Sequence, residues 1–447
     1  MISSLTPKED PRNSCPKNIA GHTHWVNVFS ENGFSPSYEN KKSKEYKKLM
    51  QEVRTHNFED TIKVTIVKLM NYCKKNKWAG YDPYDALNCE ILRGLPFLDF
   101  RLFRLGFTQL MKKIPVNLRH LLLIPKTQNP KGLALFLIAF IKIQRIGLVG
   151  SDEIIKEITE KLIALRSKKT KYWCWGYNFP WQTRRIIVHR WAPNVVCTSF
   201  VADALIDLYE SNHENRYLDM ARSAAEYMLD ELYWTEGNSI ASFSYPLPSV
   251  RIPVHNANFL GAAVLTRIYR YVGEDKYLEA ALKVAQYSVA KQHEDGSWDY
   301  GESYTQSWAD NFHTGYNLCA LQTICKNAVT SEFESQIKRG FDYYKKHFFT
   351  KDGVAKYFHN KIYPIDIHSI AQSIITLLAF KELDNSAVNI ANAVFRHAIT
   401  NMWDEQGYFY YQAHRYYRNR ISYMRWSQAW MLLALSTLLE GCNQNDI

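Results

Sequence analysis

The sequence lacks the features of a secreted or membrane-spanning protein. Its longest apolar run, residues 132–141, is about half of the ~20 residues that a membrane-spanning helix requires. Residues 1–25 contain no apolar core flanked by basic residues, as a secretory signal would. The eight cysteines are scattered without a CxxC pair, so neither a disulfide framework nor a zinc site is indicated. We therefore expect a cytoplasmic protein with buried structural thiols and no metal or cofactor.

Linkers rich in Pro, Gly and Ser are absent too, and no region is rich in predicted strands. With 46% hydrophobic and 22% charged residues, the 447-residue chain is not mainly disordered. Its 12 Trp, 29 Tyr and 22 Phe supply 63 aromatic rings, and its formal net charge is +11. We expect an irregular N-terminal extension over residues 1–50 and a single domain over residues 51–447.

What the chain does contain is an internal repeat. A turn followed by a cluster of aromatic residues, such as DGSWDYGESY at 295–304, recurs five times. The glycines of these turns are spaced 61, 59, 57 and 54 residues apart, at Gly176, Gly237, Gly296, Gly353 and Gly407. Such a period indicates stacked supersecondary units.

Helical patterns fill the intervals between these turns. Apolar residues recur at i, i+3, i+4 and i+7, first in a helix that is nearly apolar all round and then in one richer in Lys and Glu. These patterns predict helices over 60–75, 96–113, 132–146, 153–167, 195–209, 216–232, 256–272, 275–291, 312–326, 331–347, 367–381, 387–402 and 422–439. Roughly six hairpins with an inner and an outer helix predict an all-α, (α/α)6-type toroid with its aromatic loops at one end.

In such a toroid the starts of the inner helices and their aromatic loops converge, and polar residues are concentrated there. Asp310, His313, Asp366, His368 and Tyr316 are the candidate catalytic residues, because acids and bases near the working pH serve proton transfer. Two carboxylates facing each other would instead suit glycoside hydrolysis. Asp310 could equally be a helix N-cap, and the two histidines could be structural.

The same loops supply candidate sugar-binding groups. Aromatic faces stack on sugars, Asn, His and Gln address hydroxyls, and Arg pairs with carboxylates or phosphates. Any single aromatic residue could instead only pack the mouth of the toroid. The candidates are Trp175, Trp181, Arg184, Arg185, Arg190, His255, Asn256, Asn258, Trp298, Tyr300, Trp308, Asn311, Tyr357, Gln372, Tyr411, His414, Arg415 and Arg425.

The DGSWDYGE loop and the WADNFHTGYNL helix start at 308–318 resemble the six-hairpin (α/α)-toroid superfamily of glycosidases, epimerases and polysaccharide lyases. Residues 80–88, 115–137 and 312–318 resemble proteins encoded in bacterial surface-polysaccharide (O-antigen and capsule) clusters, and distantly the D-glucuronyl C5-epimerases. The resemblance implies a carbohydrate enzyme of glycan assembly that acts on an anionic oligosaccharide or a lipid-diphosphate-linked glycan. A uronyl C5-epimerase is the most concrete form.

Three alternatives stay open at this point. A glycoside hydrolase or polysaccharide lyase has the same fold, and a non-catalytic glycan-binding or scaffold module would use the same aromatic residues. Residues 291–298 (KQHEDGSW) also resemble the QxxxGxW motif of triterpene cyclases. The aspartate-rich motif of those enzymes is missing, and YDPYD at 81–85 is only a distant match.

The net charge is concentrated in one segment. Residues 91–147 contain ten Lys and Arg against Asp99, which is +9 of the total +11. Basic residues interleaved with large apolar ones predict contact with an anionic membrane surface, or else an ordinary hairpin with a basic rim. No nucleic-acid-binding motif accompanies them, so we expect no nucleic-acid partner. The oligomeric state is not indicated.

Overall fold

The computed structural model describes residues 57–237 and 239–443. The predicted extension over 1–50 lies outside this part of the chain. In chain order the helices are α1 Phe58–Lys75, α2 Glu90–Arg93, α3 Arg101–Lys113, α4 Pro130–Arg145, α5 Asp152–Ala164, α6 Val195–Asn212, α7 Asn215–Tyr227, α8 His255–Val272, α9 Asp275–Val289, α10 Asn311–Ala328, α11 Glu334–Phe348, α12 Ile367–Ala379, α13 Ser386–Met402 and α14 Trp430–Asn443.

Six helices form a closed inner ring. Helices α4, α6, α8, α10, α12 and α14 each pack against the next, and α14 packs back against α4. Their side chains are buried on nearly every face; in α4, residues 130–141 are all buried. A helix that is apolar on every face can bury all its side chains only when other helices surround it.

Six amphipathic helices surround this ring. Helices α5, α7, α9, α11 and α13 each pack on the inner helix that precedes them in the chain. Helix α1 comes before every inner helix, and it packs on α14 at the far end of the chain. The prediction of an all-α toroid with six inner and six outer helices is therefore confirmed.

All inner helices begin at the same end of the toroid, which we call the upper end. Asparagine or aspartate caps four of these starts by accepting backbone N–H groups of the first turn: Asn129, Asn194, Asp310 and Asp366. Of the repeat glycines, Gly296 has φ +93°, and a Cβ there would meet the backbone oxygen of Arg339 at 2.3 Å. A turn that closes this tightly on the next outer helix requires glycine.

Short antiparallel strand pairs stiffen the upper loops. Three of the sheets are two-stranded: β1 Trp181–Gln182 with β2 Ile187–Val188, β3 Tyr233–Glu236 with β4 Ile240–Phe243, and β6 Trp403–Asp404 with β7 Tyr408–Phe409. In a fourth, three-stranded sheet, β8 Gln412–Ala413 lies between β5 Ile365–Asp366 and β9 Arg418–Asn419. No helix in residues 57–237 and 239–443 is long and apolar enough to cross a membrane.

Three predicted helices differ from those observed. The helix expected over 216–232 ends as α7 at Tyr227 and continues as a π-helical turn, Met228–Leu232. The helix expected over 96–113 is split into a 3₁₀ turn, Pro96–Leu98, and α3, because Phe100 is extended with φ −120° and ψ 156°. The helix expected over 422–439 begins as a π-helical turn, Met424–Ala429, before α14. This turn is wider than an α-helical turn, and it carries two of the side chains that reach the candidate site.

Candidate functional site

A cavity of about 260 Å³ opens at the upper end of the toroid. Every inner helix contributes to it from its first turns or from the residues just before it. We call it the upper cavity. Its lining consists of Tyr84, Lys131, Tyr177, Phe179, Trp181, Val196, Tyr245, Asn256, Tyr300, Trp308, Phe312, His313, Tyr316, Tyr357, His368, Arg425 and Trp426.

His313 is held by the residue that caps its own helix. The Asp310 carboxylate accepts the backbone N–H of His313 at 2.9 Å and also lies 2.9 Å from Nδ1 of the imidazole. Asp310 is buried, whereas the His313 side chain is 19% exposed. Because Nδ1 donates to the carboxylate, Nε2 is the nitrogen that His313 can offer to a molecule in the cavity.

His368 lies on the adjacent inner helix in an aromatic enclosure. Its ring stacks between Phe312 at 4.4 Å and Trp430 at 4.6 Å, measured between centroids. The Tyr316 hydroxyl lies 2.5 Å from its Nε2, and its Nδ1 has no hydrogen-bond partner among the described residues. Burial, with the positive charge of Arg425 acting in the same direction, holds the pKa of His368 well below its usual range, so the imidazole is neutral.

The two histidines face one small space. The Phe312 ring, whose centroid lies 4.2 Å from that of His313, is also the ring that stacks on His368. Tyr316 contacts both imidazoles, with centroids 5.8 Å apart in each case. The two imidazoles therefore line the same part of the upper cavity, next to the rings of Phe312 and Tyr316.

Asp366 holds the start of α12 and the Trp426 side chain in place beside the cavity. Its carboxylate caps α12 and accepts hydrogen bonds from Gln412 at 2.6 Å and from the Trp426 indole at 3.0 Å. Complete burial raises the pKa of Asp366 to about 6, although these hydrogen bonds act in the opposite direction. Asp366 is not part of the cavity lining.

Two basic side chains reach the cavity wall. The Arg425 guanidinium makes a bidentate pair with the buried Asp82 carboxylate, at 2.7 and 2.8 Å. Lys131 is 3% exposed and has no ion-pair partner among the described residues; its ammonium lies 4.0 Å from the Phe200 ring centroid. Burial first, and then Arg425, holds the pKa of Lys131 well below its usual range. An anionic group that entered the cavity would find this lysine without a counterion.

Aromatic rings form much of the remaining wall. Tyr300 and Trp308 are stacked with centroids 4.6 Å apart, and Trp181 packs against Tyr245. Flat ring faces beside polar groups are the kind of surface on which pyranose rings pack.

Nine of the residues predicted from the sequence share this cavity. Of the catalytic candidates these are His313, Tyr316 and His368. Asp310 and Asp366 contact the histidines rather than the cavity and serve as helix caps, which was the alternative left open for Asp310. Of the binding candidates, the cavity includes Trp181, Asn256, Tyr300, Trp308, Tyr357 and Arg425.

The other binding candidates lie elsewhere, for reasons that their contacts make plain. The indoles of Trp175 and Trp298 donate to backbone carbonyls beneath the loops, and Asn258 and Asn311 bridge buried polar groups between helices. Arg184, Arg185 and Arg415 are exposed, whereas Arg190 is half-buried. His414 stacks on Tyr417, while His255 and Tyr411 are buried away from the cavity. Gln372 lines a different cavity, described below.

Eight lining residues were not predicted: Tyr84, Lys131, Tyr177, Phe179, Val196, Tyr245, Phe312 and Trp426. Tyr84, Tyr177 and Phe179 belong to loops that the repeat pattern identifies, so membership of an aromatic loop could have found them. Lys131 is the second residue of α4, directly after Pro130 and the capping Asn129, and its position in the repeat could have indicated it.

No protein-family model matches the chain, and no curated protein matches it. Solved structures do. The structure is similar to cellobiose 2-epimerase from Bacillus thermoamylovorans, with a TM-score of 0.55 and 13% identity over 71% of this chain and 88% of that one. It is similar to a D-mannose isomerase, with a TM-score of 0.53 and 12% identity over 71% and 87%.

It is also similar to a GH76 alpha-mannanase from Bacteroides thetaiotaomicron, with a TM-score of 0.52 and 13% identity over 72% and 88%. The chain has the (α/α)6-toroid fold. Because one fold supports different chemistries, the activity must be argued from the upper cavity.

Proposed function

We propose that the chain is a carbohydrate epimerase that moves a proton at a carbon next to a carbonyl of an anionic sugar. One observation carries the proposal: the described lining of the upper cavity contains two histidines and no carboxylate. Proton transfer by positioned imidazoles needs such a pair, whereas glycoside hydrolysis generally needs two carboxylates.

The geometry suits a two-base mechanism. One histidine takes the proton from the carbon next to the carbonyl, and the electron pair of the C–H bond moves into an enolate. The other histidine, already protonated, returns a proton to the opposite face of the same carbon. We assign the accepting role to the neutral His368 and the donating role to His313, whose Nδ1 faces the Asp310 carboxylate and whose Nε2 is directed to the cavity.

The buried Lys131 amine favours a substrate with an anionic group, because an anion beside it would raise the pKa of this lysine and let it take up a proton. Arg425 is neutralised by Asp82, so Lys131 is the group to which a carboxylate or phosphate would add a counterion. In a uronyl residue the carboxylate is attached to C5, and a cation that offsets its charge allows an enolate to form there, which makes C5 epimerisation the most concrete reaction. Reaction at C2 beside an aldehyde is the second candidate, favoured by the names of two similar structures, cellobiose 2-epimerase and D-mannose isomerase.

Deuterium exchange tests the reaction. The protein is incubated in deuterated water with oligosaccharides that end in glucuronate, and with mannose and cellobiose, and proton NMR follows H5 and H2. We expect exchange at H5 of the uronate, lost in His313→Asn and His368→Asn and kept in His293→Asn, whose histidine is exposed outside the cavity.

Other results would redirect the proposal. Exchange at H2 of a neutral sugar alone would favour the second candidate. Cleavage without exchange would indicate a hydrolase or lyase, and binding without either would indicate a glycan-binding module.

The place of action is a further part of the proposal. We propose that residues 91–123 rest on an anionic membrane surface, where a lipid-linked glycan of surface-polysaccharide assembly would be presented. This stretch exposes Phe97, Leu102 and Leu121 by 73%, 68% and 72%, beside the exposed Arg101 and Lys113. Large apolar side chains next to basic ones are typical of segments that bind membrane interfaces.

Vesicle flotation tests this contact. We expect the protein to float with phosphatidylcholine vesicles that contain phosphatidylserine and not with pure phosphatidylcholine. Changing Phe97, Leu102 and Leu121 to serine should abolish flotation. The matched change of Tyr304 and Val329, which are exposed elsewhere, should not. Equal flotation of both variants would refute the assignment.

A further inference from the structure

A second and larger cavity, of about 410 Å³, lies on the toroid axis on the far side of a partition of three rings. We call it the lower chamber. All six inner helices line it, with residues that follow the turns forming the upper cavity. Its lining includes Ser199, Ala263, Ala320, Leu378 and Leu433.

Phe200, Tyr316 and Trp430 form the partition. Their ring centroids lie 5.4 to 5.7 Å from one another, and all three rings line the lower chamber. On the upper side, the Lys131 ammonium lies 4.0 to 5.4 Å from the same three rings. Lys131 lines the upper cavity and is absent from the described lining of the lower chamber. The two spaces therefore share a wall but differ in what their linings offer.

The lower chamber exists because small residues face it. Ala263, Ala320, Ala379 and Gly441 lie on its wall, where larger side chains would fill the axis. The chamber runs along α14 from Trp430 at the partition to Gly441 at the mouth, eleven residues, or about 16 Å at 1.5 Å per residue. Its size is within the range of small-molecule sites in proteins.

One polar group deep in this chamber lacks a partner. Ser199 is 2% exposed, and its hydroxyl makes no hydrogen bond with any described residue. A buried hydroxyl without a partner is costly, so it points to a molecule that completes it. Near the mouth, Lys142 pairs with Glu440 at 2.5 Å, and Asp203 pairs with Arg267. These pairs leave those charges already neutralised, which disfavours a charged occupant.

We propose that the lower chamber binds an uncharged, mainly apolar small molecule of up to about 16 Å, whose single polar group bonds to Ser199. The inference goes beyond the proposed epimerisation and does not depend on it. The apolar body would contact Leu378, Leu433 and the lower faces of the partition rings. Because burial of apolar surface is the driving force, affinity should rise with each added methylene until the chamber is full.

The probe is N-phenyl-1-naphthylamine, an uncharged amine whose fluorescence increases in apolar surroundings. We expect saturable binding at one site per chain. Straight-chain 1-alkanols should displace it, each about fourfold better per added CH₂ group until the chamber is filled. Ser199→Ala should weaken probe binding about twofold to tenfold.

Filling the chamber gives the sharper test. Ala263→Leu and Ala320→Leu each place a larger side chain in the space, and we expect at least about tenfold weaker binding in both. Ala290→Leu, at an exposed alanine just after α9, is the matched control and should bind normally. The pair Phe97→Ser and Leu121→Ser removes exposed apolar side chains elsewhere and should also bind normally.

Circular dichroism establishes that each variant is folded. If a leucine variant does not fold, the Ser199→Ala result and the alkanol series still decide the matter. Binding that is unsaturable, unaffected by both leucine variants, or lost with Phe97 and Leu121 would overturn the proposal.

Discussion

Replacing Lys131 by methionine should make the protein more stable at neutral pH and less able to bind an anionic sugar. Lys131 is buried beside Phe200 and has no ion-pair partner among the described residues. Its position in the first turn of α4 adds the positive end of a helix dipole, and Arg425 adds a second cation nearby. All three factors disfavour the ammonium form, whereas methionine has similar length and no charge to desolvate.

The size of the stability difference between Lys131→Met and the wild type follows from the linkage between proton binding and folding. Because burial lowers the pKa of Lys131, the folded chain loses the Lys131 proton at a lower pH than the unfolded chain, whose lysine pKa is near 10.5. Between those two pKa values, the free energy of unfolding of the wild type should rise by about 1.4 kcal/mol per pH unit through this residue alone. Lys131→Met lacks this term, so its stability advantage over the wild type should shrink as the pH rises between those two pKa values.

Urea denaturation followed by circular dichroism at pH 7, 8 and 9 measures the difference. Lys156→Met, at an exposed position on α5, is the matched control, and its difference from wild type should not depend on pH. A pH-independent difference for Lys131→Met would mean that Lys131 keeps its proton in the folded chain, and the reasoning from burial would be refuted.

Lys131 should also change the protonation of the protein when an anionic sugar binds. An anionic sugar that pairs with Lys131 restores the conditions under which the ammonium is favoured, so binding should take up one proton. Calorimetry in two buffers of different ionisation enthalpy measures this uptake, which should be absent in Lys131→Met.

Three further predictions concern the groups around the histidines. Asp310→Asn keeps a good cap for α10 but removes the charge that orients His313. We expect stability within about 0.5 kcal/mol of wild type in urea, with kcat lower by a factor on the order of 10³; unchanged kcat would remove Asp310 from the mechanism. Arg425→Met leaves the Asp82 carboxylate buried and unpaired, and should cost about 3–5 kcal/mol of unfolding free energy, most of which Asp82→Leu in the same chain should restore. Because the pKa of Asp366 is raised to about 6 in the folded chain, its stabilising contribution is complete below about pH 4 and is lost as the pH rises through 6. Relative to Asp366→Asn, the wild type should lose up to about 3 kcal/mol between pH 4 and pH 7 in urea denaturation, and a constant difference would contradict the raised pKa.

The sequence was sufficient to predict the ring because several local patterns agree. Apolar helices alternate with amphipathic ones, and the turn glycines recur at a nearly constant interval. Only a closed arrangement buries every face of helices such as α4 and α6, and the order along the chain then decides which loops meet. The connectivity alone was therefore enough to predict which end of the toroid contains the candidate site.

Individual binding residues were harder to predict, because neighbours in one loop have different environments. Trp298 and Trp308 are ten residues apart in the same aromatic loop. The indole of Trp298 donates to the carbonyl of Ser288 and packs under the loop, whereas Trp308 stacks on Tyr300 in the cavity wall. Which way each indole turns depends on contacts with helices distant in sequence, and residue spacing carries no information on them.

Residues 91–147 show a different limit of prediction from the sequence. Counting charges along the chain treats residues 91–147 as one cationic stretch, but the fold separates its members. Arg119 pairs with the buried Asp85, Lys142 pairs with Glu440, and Lys131 reaches the upper cavity. Arg101 remains exposed. The charge count therefore treated three environments as one, and it did not distinguish Lys131, which reaches the upper cavity, from residues in ion pairs or on the surface.

The packing of α1 on α14 has a consequence for how the chain is made. Ile62, Ile66 and Leu69 of α1 are completely buried, and the helix against which α1 packs is synthesised last. At 5–20 residues per second, a ribosome needs about 20–80 s to reach the end of α14 after completing α1. For that period the first helix of the toroid carries an uncovered apolar face on the nascent chain, and it is the segment on which a chaperone would have most time to act.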